Sequence, residues 1–134
     1  MDEATRHKKY RLENKEKVKI YKSKYYQDNR ERVLIKSREF QQKRKLSIIK
    51  HYSLGEFKCA CCGETEIGFL SIDHIGGGGT KQKKELGGGG NMIHRWITRN
   101  NFPVGFQILC YNCNMSKGAL GECPHETERR LNAR

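Results

Sequence analysis

Polar and apolar positions follow two different patterns along this chain, and the change between them divides it. Over the first fifty residues the apolar side chains are sparse and recur at an interval of 15. Tyr10, Tyr25 and Phe40 align, as do Asn14 with Asn29, Glu16 with Glu31, Val18 with Val33, and Ile20 with Ile35. No Pro or Gly interrupts this stretch before Gly55, and its Lys, Arg, Glu and Gln favour helix. Fifteen residues are about 4.2 helical turns, so a straight helix would rotate each repeat by about 60°. The aromatic and aliphatic positions would then drift around the helix. Either the arm wraps a partner gradually, or it breaks near Asn14 and Asp28-Asn29, residues that can cap new helices. The pattern predicts two helices, near 15–27 and 30–51.

Beyond Gly55 the apolar runs shorten. Residues 67–72, ending at Asp73-His74, read as a short strand, and 106–109, running into Cys110, as a second. Between them lie glycines 76–79, a basic segment with Lys81, Lys83 and Lys84, and glycines 87–90. This reads as a flexible, partly basic loop that lies against a polyanionic backbone and orders on binding, or serves as a plain connector. It lacks P-loop spacing, which rules out a nucleotide-binding reading. Asn91 is expected to cap a helix over 92–100, with Ile93, Trp96 and Ile97 on one face and Trp96 serving packing. Phe102-Pro103-Val104-Gly105 reads as a turn, 114–120 as a short helix, and Cys123-Pro124-His125 as a closing tail. The fold class is α+β: a basic helical arm over 1–52 and a small domain over 53–134.

Charge sharpens the division. Residues 1–52 carry 17 Lys/Arg against 7 Asp/Glu, a net of +10, whereas 53–134 carry 10 against 8, a net of +2. Nearly all of the +12 excess therefore sits in the arm. Such asymmetry points to a polyanionic partner, nucleic acid ahead of membrane. Phosphate contact by Arg30, Arg32, Lys43 and Arg44 would be salt-dependent and carry little sequence information. The bland alternatives are a solvated basic face or a coiled-coil arm, though the apolar positions are too sparse for a strong heptad seam.

The second part is too small to be secure on hydrophobic burial alone. Its cysteines offer a remedy. Cys59/Cys62 and Cys110/Cys113 are two Cys-x-x-Cys pairs, the ligand count and spacing of a closed tetrahedral zinc site. A zinc there would supply an apparent ~10–16 kcal/mol. Cys61 reads as a spectator, with Cys59/Cys61 pairing left open; Cys123 and His125 could join a metal site, but the four knuckle cysteines already complete a tetrahedron, so they read as packing near the zinc. Met1-Asp2-Glu3-Ala4 offers no apolar signal segment, and no apolar run approaches membrane-spanning length. Metal-bound thiolates in a reducing cytosol fit better than secreted disulfides.

Asp73-His74 and Asn114 fall between and immediately after these pairs. Phosphodiester hydrolysis needs an activated water, neutralised phosphate charge and a stabilised leaving oxygen. Imidazoles titrate near neutral pH, so a neutral His74 can deprotonate water. Asp73 and Asn114 offer hard oxygens to Mg²⁺ or Mn²⁺, and Mg²⁺ needs only one or two protein ligands. Lys117, one turn after Asn114, is placed to hold a neighbouring phosphate. His94 reads as a helix-surface residue, with phosphate contact or assistance at the site as the alternative.

Cys59-x-x-Cys62-Gly63, Ile72-Asp73-His74-Ile75 and Leu109-Cys110-Tyr111-Asn112-Cys113-Asn114-x-x-Lys117 together resemble the HNH, or His-metal finger, endonucleases. Within them they are similar to the zinc-bound type represented by phage endonuclease VII. The resemblance covers roughly 57–121. It implies a ββα-metal core and a DNA-cleaving enzyme. His74 would be general base, Asp73 and Asn114 ligands of the catalytic metal, and zinc would sit at the four cysteines. Products would carry 5′ phosphate and 3′ hydroxyl. Two departures stand out. Many members carry His at the Asn114 position, and their middle Asn is replaced here by Gly105, with Gln107 close by. Asn101 or Gln107 is then expected to fix the His74 loop. The basic arm also resembles repeats attached to phage and intron-encoded nucleases.

The implied partner is double-stranded DNA in the cytosol, a host cytosol if phage-encoded, with a second copy or phage proteins as compatible partners. A junction-resolving variant would need a dimer. The reading from another class is a zinc-dependent DNA-binding module without catalysis, in which Asp73-His74 is structural.

Overall fold

A computed structural model describes residues 2–134. Its order is α1 (Glu3–Glu13), α2 (Lys15–Asp28), α3 (Arg30–Tyr52), β1 (Leu70–His74), α4 (Gly79–Leu86), α5 (Gly90–Arg99), β2 (Phe106–Cys110), α6 (Tyr111–Leu120) and α7 (Pro124–Asn132). The class is α+β, mostly helical, with one two-stranded antiparallel sheet among the described residues. No described helix is long and apolar enough to cross a membrane.

The 15-residue repeat sets the helix boundaries. α1 ends at Asn14 and α2 at Asn29, both with ψ near zero (33° and 17°). Neither side chain caps the helix that follows. Each Nδ2 instead turns back to the tyrosine carbonyl four residues earlier, Asn14 to Tyr10 at 3.1 Å and Asn29 to Tyr25 at 2.9 Å. That carbonyl also accepts the Asn backbone N–H. The breaks expected at these residues are present, but they are closures of the preceding helix. α1 was not anticipated as a helix of its own; Asp2 caps it, accepting from Thr5 N at 2.7 Å.

Two compact units divide between Phe40 and Gln41 rather than after Tyr52. The reason is apolar burial near the end of α3: Ile48 and Ile49 are each 1% exposed and belong to the core of the second unit. In the first unit, α1 and α2 bury no side chain, and Tyr10, Ile20 and Tyr21 stay exposed.

The second unit packs Ile48 and Ile49 with Leu70 of β1, Ile93 and Ile97 of α5, and Ile108 and Leu109 of β2. Tyr52 Oη donates to the Pro103 carbonyl at 2.7 Å, and Trp96 packs against this core as its helical spacing predicted. β1 and β2 pair with Leu70 opposite Cys110, Asp73 opposite Gln107 and His74 opposite Phe106. The first strand starts later than expected. Residues 67–69 form a 3₁₀ turn instead, because the Glu66 carboxylate accepts from Gly68 N at 3.1 Å.

The glycine-flanked segment is helical, not a loop. Gly78 (φ 92°) and Gly87 (φ 69°) bracket α4 in left-handed conformations that cost a glycine little, and Leu86 packs against the core. α5 begins one residue before Asn91, so Asn91 is not its cap; its Oδ1 accepts from Arg44 Nη1 at 3.2 Å.

Candidate functional site

Sheet register and the start of α6 bring the singled-out residues together. Asp73 and His74 end β1, and Asn114 and Lys117 lie on α6, whose N-cap is Cys110 at the end of β2. Asp73, His74, Asn114 and Lys117 all line one open groove of about 780 Å³. Lys83 and His94 line it too.

Asp73 is the buried charged residue of the second unit, at 8% exposure. Its Oδ2 accepts from Lys117 Nζ at 2.5 Å and from Gln107 Nε2 at 2.8 Å. The second bond follows directly from the register, which sets Gln107 across from Asp73. Lys117 was expected to be free for phosphate. Instead its ammonium also donates to the carbonyls of His74 at 2.9 Å and Ile75 at 3.2 Å, so its three donors are engaged within the fold. A buried pair is costly to break from one side. Lys117→Met should therefore destabilise the protein by about 3 kcal/mol, at the low end because Gln107 remains. Urea denaturation checks this, and an unchanged midpoint would show that the pair contributes nothing.

The His74 ring is held on two sides. It packs against Phe106 with the two rings tilted by 58° and their centroids 4.7 Å apart. Its Nε2 lies 2.6 Å from Gln82 Oε1, an acceptor, so Nε2 is the donor in that contact; in the neutral ring this leaves the lone pair on Nδ1. Gly79 makes room at Nδ1: a Cβ there would stand 3.0 Å from that nitrogen and 3.3 Å from Cε1. Gln82 was not anticipated; it follows a glycine run, where no periodicity marks the helix that presents it. Gln107, expected to act through its backbone, bonds the Asp73 carboxylate with its side chain, and it is Gly105 that contributes its carbonyl to Ile75 N at 3.0 Å. Asn101 is a turn residue with φ 54°.

Asn114 donates from Nδ2 to Ser71 Oγ at 3.0 Å and to the Ile72 carbonyl at 3.4 Å, leaving Oδ1 as its acceptor. Asp73 Oδ1 is likewise separate from the atom that holds Lys117 and Gln107. His94 is half-buried on the groove wall rather than on an open helix surface. Burial, then the charges of Lys45 and Arg44, hold its imidazole below the ordinary value and favour the neutral ring.

The basic residues divide differently. Lys81, Lys83 and Lys84 project from α4, with Lys81 4.0 Å from Glu85. Arg30 and Lys43 are exposed, and Arg32 bonds Asn29 Oδ1 at 2.8 Å and Tyr25 Oη at 3.0 Å. Lys45, not singled out by the sequence, lines the groove and lies 5.8 Å from the Tyr111 ring centre.

Behind the groove, the four knuckle thiols converge. Cys59, Cys62, Cys110 and Cys113 place their sulfurs within 4.8 Å of one another, so the set could hold a structural metal such as zinc. The Cys62–Cys110 separation is 3.7 Å, against a tetrahedral edge of about 3.8 Å for Zn–S bonds of about 2.3 Å. Gly63 (φ 80°) closes the first knuckle, and Ala60 N donates to the Ile108 carbonyl at 2.8 Å, docking it on β2. Burial raises the Cys59 thiol, but backbone N–H groups of Cys62, Cys110 and Cys61 outweigh it and bring it down to about 7. Burial pushes Cys113 the other way, reinforced by the surrounding thiols.

None of the protein-family models matches this chain, and no curated protein or solved structure matches it either.

Proposed function

We propose that the protein is a metal-dependent DNA endonuclease of the HNH type, built on a ββα-metal core that β1, β2 and α6 would form. The observation that carries this reading is the convergence of Asp73, His74 and Asn114 on one groove, with Lys45 and Lys83 on its walls.

His74 is the general base. With Nε2–H held by Gln82, the Nδ1 lone pair takes the proton from the attacking water. Asp73 Oδ1 and Asn114 Oδ1 are the oxygens that would hold a Mg²⁺- or Mn²⁺-type ion, a hard cation that retains most of its waters. When bound, that ion supplies positive charge at the scissile phosphate and the leaving 3′ oxygen. Lys117 pairs with Asp73 and pins the carbonyls of His74 and Ile75, so it positions the corner rather than contacting phosphate.

One observation favours the second reading, a zinc-dependent DNA-binding module without catalysis. The Lys117 ammonium already neutralises Asp73, as it would in a purely structural pair. Incubating supercoiled plasmid with the protein and Mg²⁺ or Mn²⁺ separates the two. Relaxed or linear product is expected. Intact plasmid, despite zinc content and tight DNA binding, selects the binding module.

The arm is assigned to phosphate contact. Because Ile48 and Ile49 belong to the second unit's core, the informative deletion is residues 1–40. That deletion should weaken DNA binding and flatten its salt dependence by about 0.9 in log–log slope for each phosphate that the arm neutralises. An unchanged slope would show that the arm is not a phosphate clamp.

A further inference from the structure

Cys61, Cys123 and His125 were expected to pack as spectators beside the knuckles. They do not scatter. With Cys113 they form a second set whose ligand atoms also lie within 4.8 Å of one another. His125 Nδ1 stands 3.5 Å from Cys113 Sγ, 3.4 Å from Cys123 Sγ and 4.0 Å from Cys61 Sγ. A tetrahedral zinc with one nitrogen and three sulfurs has N–S edges of about 3.6 Å, from bond lengths of about 2.0–2.1 and 2.3 Å. Both sets contain Cys113.

We infer that the protein holds two zinc ions in a binuclear cluster. Cys59, Cys62 and Cys110 bind one, Cys61, Cys123 and His125 Nδ1 bind the other, and the Cys113 thiolate bridges both. Seven side chains then complete two tetrahedra, because only Cys113 is counted twice.

Three features of the chain support this assignment beyond proximity. Cys61 and Cys62 are consecutive yet differ in environment, Cys61 buried and Cys62 exposed, so adjacent residues serve opposite sides of the knuckle. Arg129 Nη1 donates to the Cys61 carbonyl at 2.6 Å, and its Nη2 lies 3.6 Å from Cys61 Sγ. It thus places a guanidinium against a ligand sulfur, as outer partners of metal sites do. Finally, α7 buries no side chain of its own, and Leu131 is 62% exposed. A helix with no apolar anchor needs another attachment, and Cys123 and His125 at its start provide one through the metal.

The protons and charges can be counted. Binding two Zn²⁺ displaces six thiol protons and leaves the imidazole neutral. Four positive charges against six thiolates give the cluster a formal charge of −2, which Arg129 partly offsets.

The test is metal content of the full-length protein, purified without chelator and measured by mass spectrometry against protein concentration. Two zinc ions per chain are expected. Cys123→Ser and His125→Ala should each reduce this to one while the protein stays folded by circular dichroism. Cobalt(II) substitution of the wild type offers a readout that does not depend on variants folding. Two cobalt ions per chain should show thiolate charge-transfer bands and an electron-spin signal weakened by coupling through the shared sulfur. One zinc per chain or none in the wild type, two retained in the Cys123→Ser/His125→Ala double variant, or two uncoupled cobalt ions would each overturn the bridged cluster. DNA cleavage is not among these readouts, so the result stands apart from the proposed activity.

Discussion

His74→Ala is expected to lower Mg²⁺-dependent plasmid cleavage by about 10²–10⁴-fold, the usual contribution of a positioned general base. Zinc content, thermal stability and DNA affinity should stay close to wild type. The ring is half-buried, and its contacts to Gln82 and Phe106 are local, so its removal opens a small space at the groove without cutting the core. Cleavage rate, metal content and binding have to be measured on the same preparation, because a fall in all three would report unfolding. Retained cleavage would remove His74 as the base. Gln82 refines the expectation further. Since it holds Nε2 and leaves Nδ1 as the acceptor, removing Gln82 should reduce cleavage less than removing His74, for the base remains present but loses its fixed tautomer.

Cys110→Ser should abolish cooperative folding of the second unit. Structural zinc contributes an apparent ~10–16 kcal/mol in small zinc modules, which equals or exceeds the whole stability of an ordinary domain, about 5–15 kcal/mol. The core it supports is short of apolar mass: seven buried Ile and Leu side chains, two of them from the end of α3. Cys110 also has two structural positions at once. It is the last residue of β2 and the N-cap of α6, where its sulfur accepts from Cys113 N at 3.5 Å. A serine hydroxyl can replace the cap but not the thiolate. Thermal melts of the variant, beside wild type treated with a strong chelator, should both lose the transition. A variant that melts like wild type would show that these thiols hold no structural metal.

Much of this molecule is written locally in the chain. The 15-residue repeat marked both helix breaks, because an asparagine can close a helix with its own amide and needs no distant partner. The two Cys-x-x-Cys pairs announced a metal-competent cluster, since each knuckle is a local turn whose sulfurs converge once two segments meet. The helical face of Ile93, Trp96 and Ile97 followed from its period, and the strand ending at Asp73-His74 was misplaced only where Glu66 captured Gly68 N.

Tertiary structure decided the partners. Lys117 reads in sequence as a free cation one turn beyond Asn114; only the approach of α6 to β1 turns it onto a buried carboxylate. Gln82 gains its meaning from α4, a helix the flanking glycines disguised because they cap it in left-handed conformations. Ile48 and Ile49 look like the end of a basic arm until the sheet and α5 close over them. Cys61, Cys123 and His125 have no shared spacing, for their meeting depends on where α7 docks. Spacing along a chain fixes what a helix, cap or knuckle can do by itself. Which charge meets which, and which ligands share an ion, depends on contacts between residues tens of positions apart, and those exist only after the chain has packed.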